Sequence, residues 1–203
     1  MKTFEKVLPE NYVLIKTVDC KNKKTAAALN AAAFAITVLT LVIGFLILKP
    51  SFSAIIAELD ERYIIVLLEL FGFIIANVLY IILHELTHGL AYKLLTKQKL
   101  KFGFSFTFAY CGVPDIYVYR TAALIALLAP FTVFSVAFGL LTAFLPGVLL
   151  KSGAIILLAV HLGGCVGDLY DTFLYLFKLR DPQILMRDFG ATQEFYALAS
   201  IEK

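Results

Sequence analysis

An all-α membrane protein is the fold class this chain predicts: four transmembrane helices with a small β-hairpin at the cytoplasmic membrane surface. Composition, segmentation and charge placement all lead there. The 203 residues are 61% hydrophobic and 16% charged, against about 25% charged in an ordinary soluble domain, and mean hydropathy is +0.86. Apolar residues gather into four runs, each near the roughly 20 residues needed to cross a bilayer. Lysines cluster at alternate ends of those runs, which is a statement about topology.

The first span runs from about Thr25 to Leu48 and stops at Lys49-Pro50. The second begins near Arg62 or Tyr63 and continues to about Leu95. The third covers about Thr121 to Leu145, with Pro130 inside it and Pro146-Gly147 closing it. The fourth runs from about Ser152 to Phe177. Lys16, Lys21, Lys23 and Lys24 precede span one; Lys93, Lys97, Lys99 and Lys101 follow span two; Lys178, Arg180 and Arg187 follow span four. The opposite loops hold Lys49, Glu58, Asp60, Glu61 and Arg62 on one side and Lys151 on the other. The positive-inside rule therefore puts both termini and the 96–120 connection in the cytoplasm of a multi-pass cell-membrane protein.

One integral membrane domain, 1–203, is expected, with a short cytoplasmic segment 1–24 and a C-terminal tail 179–203. The N-terminus is polar and shows no early apolar h-region, so no cleavable signal peptide is expected. The formal charge of +3 comes mainly from the topological lysines, so the lipid bilayer is an expected partner and nucleic acid is not. Cys20, Cys111 and Cys165 are too few and too scattered for a disulfide framework. A cytoplasmic location would keep Cys20 and Cys111 as free thiols.

The 96–120 connection is patterned. Phe102, Phe104, Phe106, Phe108 and Tyr110 alternate with small or polar residues, the period of a strand. Cys111-Gly112-Val113-Pro114-Asp115 reads as a turn and Ile116–Tyr119 as the returning strand. Tyr12–Val18 reads as a further strand packing nearby.

Span two carries the chemistry. His84-Glu85-Leu86-Thr87-His88 is a His-Glu-x-x-His motif, which on a helix sets two imidazoles one turn apart on one face, able to share a zinc ion. Glu85 lies beside them, where a carboxylate can take a proton from water. Ionisable side chains inside a membrane helix are costly, and they default to a functional reading. A catalytic zinc usually takes three protein ligands. The other acidic residues inside apolar spans are Glu69, Asp168 and Asp171. Glu69 lies about 22 Å from His84 along the same helix and cannot reach.

Depth favours Asp168. It is ten residues before Lys178, as His84 is nine before Lys93, so each lies roughly 14 Å from its flanking charge. His161, Cys165, Asp168 and Thr172 share a helical face by their 4, 3, 4 spacing. Gly163, Gly164 and Gly167 would let a neighbouring helix approach closely. Asp171 is the reserve candidate, one turn closer to water.

These residues resemble those of the site-2-protease class of intramembrane zinc metalloproteases. They are more closely similar to the bacterial and archaeal family of zincin-like membrane peptidases. The likeness rests on His84–His88, the aromatic hairpin, Ala129-Pro130 and Gly167-Asp168, within residues 60–180. It implies zinc held by His84, His88 and Asp168, Glu85 as general base, and hydrolysis of a membrane protein or peptide substrate within or beside the bilayer. The Asn-Pro-Asp-Gly pattern usual in site-2 proteases is replaced here by Val166-Gly167-Asp168-Leu169, which leaves Asn77 or His161 to steady an oxyanion. A prenyl-peptide type of protease would need a late Glu, and only Glu194 and Glu202 are available, both in the tail. The alternative of another class is a non-catalytic metal-binding membrane protein, a pseudoprotease or client-binding scaffold.

Overall fold

The computed structural model describes residues 2–104 and 109–199. In chain order the elements are β1 (Phe4–Glu5), β2 (Tyr12–Asp19), α1 (Lys23–Leu48), α2 (Phe52–Thr96), β3 (Lys101–Phe104), β4 (Ala109–Gly112) and β5 (Tyr117–Tyr119). There follow α3 (Arg120–Phe144), α4 (Val148–Gly164), α5 (Val166–Phe173), a π-helical turn (Leu174–Lys178), β6 (Leu185–Asp188) and β7 (Thr192–Leu198). Among the described residues three helices are long and apolar enough to cross a membrane: α1, α2 from Leu59 onward, and α3; a fourth span results if α4 and the helix after it count as one.

Local chemistry explains where the helices begin. The Asn22 side chain accepts from the Lys24 N–H at 3.0 Å and caps α1, and the Ser51 hydroxyl accepts from the Ala54 N–H at 3.1 Å and caps α2. Pro50 and Pro146 bar continuation of the preceding helices. Apolar side chains point outward along the length of α2, including Leu67 at 61%, Phe71 at 63% and Val78 at 55% exposure. Helices apolar on all sides suit a lipid surround.

Four expectations need correction. The chain is not all-α: the N-terminal segment and the supposed tail join in a five-stranded antiparallel sheet of order β1-β5-β6-β7-β2. The hairpin also pairs differently. Lys101–Phe104 turns back onto Ala109–Gly112, with Phe102 opposite Cys111, while Tyr117–Tyr119 leaves for the larger sheet; Phe106 and Phe108 lie outside the described residues. Two-to-four-residue strands show too little alternation to reveal their partners. Finally, span four is broken at Cys165 into α4 and α5, so the shared face inferred for His161, Cys165, Asp168 and Thr172 does not hold over a continuous helix. The stretch 52–61, expected as loop, is helical up to Arg62, whose φ of −137° and ψ of 30° interrupt α2.

The chain divides into two compact units. One comprises Met1–Asn30, Leu83–Pro130 and Gly167–Lys203, the other Ala31–Ile82 and Phe131–Val166. The first holds the sheet and the larger core, in which Tyr92, Val113, Val118, Ala126, Tyr175 and Phe195 are fully or almost fully buried. Strand β2 was legible in sequence. Its partner is β7, from Tyr12 opposite Leu198 to Asp19 opposite Thr192, with a bulge between Leu14 and Lys16.

The second unit is held by an aromatic cluster around His161, whose Nδ1 lies 2.9 Å from the Tyr80 hydroxyl and whose Nε2 lies 3.1 Å from the Ser135 hydroxyl. Tyr80 meets Phe134 and Phe138 edge-on at 5.3 and 5.4 Å. At Gly163, α1 comes so close that an added Cβ would stand 2.9 Å from the Ala33 carbonyl oxygen. Gly167 has no such neighbour, so the close-approach expectation holds at Gly163 and fails at Gly167. Glu69 pairs with Arg62 at 3.6 Å, and the Asn77 amide donates to the Phe73 carbonyl of its own helix.

Candidate metal centre

His84 and His88 lie one turn apart on α2, with ring centroids 4.9 Å apart. Asp168, in the first turn of α5, meets both: its Oδ2 is 3.4 Å from each Nε2. All three belong to the first unit. The two imidazoles are 7% and 6% exposed, whereas the Asp168 side chain keeps 21% of its surface open. One side of the cluster is thus walled by protein and the other can be approached.

The spacing discriminates between two uses of this trio. A charge-assisted N–H···O bond would close to about 2.7–2.9 Å. Donor atoms around a tetrahedral zinc, each about 2.0–2.1 Å from the metal, lie roughly 3.3–3.4 Å apart. The observed 3.4 Å edges match the second, and two imidazole nitrogens with one carboxylate oxygen are a usual catalytic zinc set. The residues fit the metal.

One histidine is oriented by a specific device. His88 Nδ1 lies 2.8 Å from the carbonyl oxygen of Ala126. A carbonyl can only accept, so Nδ1 carries the proton and Nε2 presents its lone pair to the cluster. The Ala126 carbonyl is available because its helical partner would be the N–H of residue 130, and Pro130 has none.

Glu85 is half-buried beside the pair, its carboxylate within electrostatic reach of His84, His88 and Asp168 and next to the Cys111 backbone N–H on β4. The β3–β4 hairpin rests on α2 at Gly89, where an added Cβ would stand 2.9 Å from Phe102 Cζ and 3.3 Å from Cys111 Sγ. Burial pushes the Cys111 thiol up to about 12, with the Asp188 and Glu85 charges adding to it. At neutral pH the thiol therefore stays protonated. The reserve candidate Asp171 is 3% exposed, and its Oδ1 has no hydrogen-bond partner among the described residues. It is not part of the His84–His88–Asp168 donor group, whose atoms all lie within 4.8 Å of one another.

Sequence reasoning missed two supports. The Tyr92 hydroxyl, one turn past His88, donates to Asp188 Oδ2 at 2.7 Å, and the Gly190 N–H donates to Oδ1 at 2.7 Å. These bonds tie the motif helix to β6. Burial nonetheless leaves the Asp188 carboxyl above its ordinary range. The i+4 spacing of Tyr92 and the alternating stretch 185–198 around Gly190 were the available signals. Glu194, weighed above as a late Glu, sits on β7 and accepts from the Tyr196 hydroxyl at 2.5 Å; Glu202 lies outside the described residues.

A helix-borne donor trio with an adjacent carboxylate is the signature of the zincin class of metallopeptidases. The family described as "Putative zincin peptidase" matches residues 77–181, a segment that includes His84, Glu85, His88 and Asp168, and the chain belongs to that family. No curated protein and no solved structure matches it.

Proposed function

We propose that the chain is an integral membrane zinc metallopeptidase that hydrolyses peptide bonds within or next to the membrane, of the site-2-protease type. The observation that carries this reading is the convergence of His84 Nε2, His88 Nε2 and Asp168 Oδ2 beside the Glu85 carboxylate. His84, His88 and Asp168 would hold a zinc ion there, which would supply Lewis-acid polarisation of the scissile carbonyl and acidify water. Glu85 then takes the proton from the attacking water and returns it to the departing amide nitrogen. His88, locked by the Ala126 carbonyl, keeps its lone pair on the cluster throughout.

The substrate is a membrane protein or peptide presented in extended form, because helical carbonyls are engaged and shielded. Strand β4 has β3 on one side and no strand on the other among the described residues, and its Cys111 N–H adjoins Glu85. A substrate strand added along that edge would bring its carbonyl to the site. The lysine distribution supports a cytoplasmic position for both termini and for this hairpin.

The test compares the zinc content and peptidase activity of three variants. Glu85→Gln should keep about one zinc per chain and lose cleavage. Asp168→Ala should lose both. Asp171→Ala should keep zinc. Metal loss in Asp171→Ala with retention in Asp168→Ala would move the third ligand by one turn. A Glu85→Gln protein that still performs the cellular role would favour a non-catalytic, client-binding scaffold.

A further inference from the structure

We infer that the cleft where α2 leaves the membrane is a binding site for the phosphate headgroup of an anionic phospholipid. Its volume is about 480 Å³, and Lys99, Lys101 and Arg187 line it together with Asp115, Pro114 and Phe189. No ion pair joins Asp115 to these cations among the described residues, so the lining carries an excess of positive charge. Lys99 and Lys101 come from the chain entering β3 and Arg187 from β6, far apart in sequence. A topological lysine run alone would not place Arg187 there.

The arginine is held in advance. Its Nε donates to the Pro114 carbonyl at 2.8 Å and Nη1 approaches the Tyr117 hydroxyl at 3.4 Å. The guanidinium carbon lies 4.8 Å from the Phe189 ring centre and 5.3 Å from that of Tyr117. A guanidinium has five N–H donors in a fixed plane, and the contacts named use two of them. The rest form the planar fork that suits phosphate oxygens.

The surroundings favour a lipid as the source of the phosphate. Leu90 and Leu94, in the last turns of α2, are 59% and 71% exposed. Phe102 and Phe104, in the strand that begins at Lys101, are 48% and 80% exposed. Phe102 also packs against the helix at Gly89, so this apolar surface adjoins the cationic cleft. That arrangement takes acyl chains on one side and a headgroup on the other. A free anion would use only the cleft. Lys93, Lys97, Lys99 and Lys101 follow one another with no intervening acid, a density associated with anionic lipid recognition just outside a membrane helix.

The inference rests on the membrane placement proposed above, and not on hydrolysis. Sedimentation of the chain with carbonate-washed membranes tests that placement separately. The binding test is native mass spectrometry of the full chain, delipidated in detergent and offered phosphatidylglycerol or phosphatidylcholine. Phosphatidylglycerol should be retained preferentially. Affinity should fall about fivefold per basic side chain removed, hence roughly 25-fold in Lys99→Gln/Lys101→Gln, whose side chains are exposed and whose fold should persist. Arg187→Gln should fall as well. Lys21→Gln/Lys24→Gln, an equal charge loss around the start of α1, should bind as the parent does. Equal retention of the two lipids, or an equal loss in the control variant, would overturn the site. Inorganic phosphate raising the unfolding temperature of the lipid-free protein as much as phosphatidylglycerol does would overturn the lipid assignment.

Discussion

His88 donates its Nδ1 proton to the Ala126 carbonyl across 2.8 Å, and it can do so because Pro130 supplies no N–H to claim that carbonyl. A proline four residues further along a different helix therefore determines which nitrogen of His88 carries the lone pair.

Pro130→Ala restores the missing N–H and sets it in competition for Ala126. Partners of this kind change metal affinity about 10–100-fold. Zinc affinity, measured by competition against a chelator, should drop within that range while helix content is retained. An unchanged affinity would mean that His88 is oriented without Ala126.

Tyr92→Phe removes the donor to Asp188 Oδ2 and leaves a fully buried carboxylate one partner short. The cost of such an orphaned group is about 1–3 kcal/mol, read as a lower unfolding temperature in detergent. The variant should also hold zinc less firmly, because Tyr92 ties the His88 turn to β6. Stability equal to the parent would remove Asp188 from the set of groups that position the motif helix.

At Gly89 an alanine could be absorbed by small shifts of Phe102 and Leu100, but a valine could not. Gly89→Val should lift the β3–β4 hairpin from α2 and expose Cys111, now 6% exposed. In a Cys20→Ser background, maleimide labelling of Cys111 should rise while zinc is retained and cleavage falls. Labelling as slow as in the parent would show that the hairpin does not depend on Gly89.

The contact of β1 with β5 has a pH signature. Glu5 is held below its ordinary range by its bond to Lys2 and then by the Tyr119 hydroxyl. Its contribution is present above the unfolded carboxylate value of about 4.3 and disappears as pH falls through the lower folded value. Burial and the Glu5 bond push Tyr119 up to about 12. That contribution is present below about pH 10 and is lost as pH rises through the folded value. The unfolding-temperature gap between the parent and Glu5→Gln should be flat between about pH 5 and 9 and shrink on either side. A gap independent of pH would sink the assignment.

What was legible in the sequence was local or countable. Two histidines four apart on a helix share a face whatever surrounds them, and residue counts to the flanking lysines brought Asp168 to the level of His84. The stretch Tyr12–Val18 read as a strand, and β2 covers Tyr12–Asp19. The sheet was hidden because β1 has two residues and pairs with a strand more than a hundred positions away. The Tyr92–Asp188 bond spans 96 residues, and no periodicity reports such a partner. The break at Cys165 was hidden for another reason, since Gly163, Gly164 and Gly167 are compatible with both a thin helix and a broken one.

Strands β6 and β7 stand between β5 and β2 in the sheet, so the segments made first remain unjoined until the segments made last arrive. During synthesis α1 to α5, with the three candidate metal donors, are made before β6, so Asp188 cannot grip Tyr92 until β6 has emerged. The Tyr92–Asp188 tie to β6 is thus the last support of the motif helix to form, after the Ala126 carbonyl and the β3–β4 hairpin have already been made.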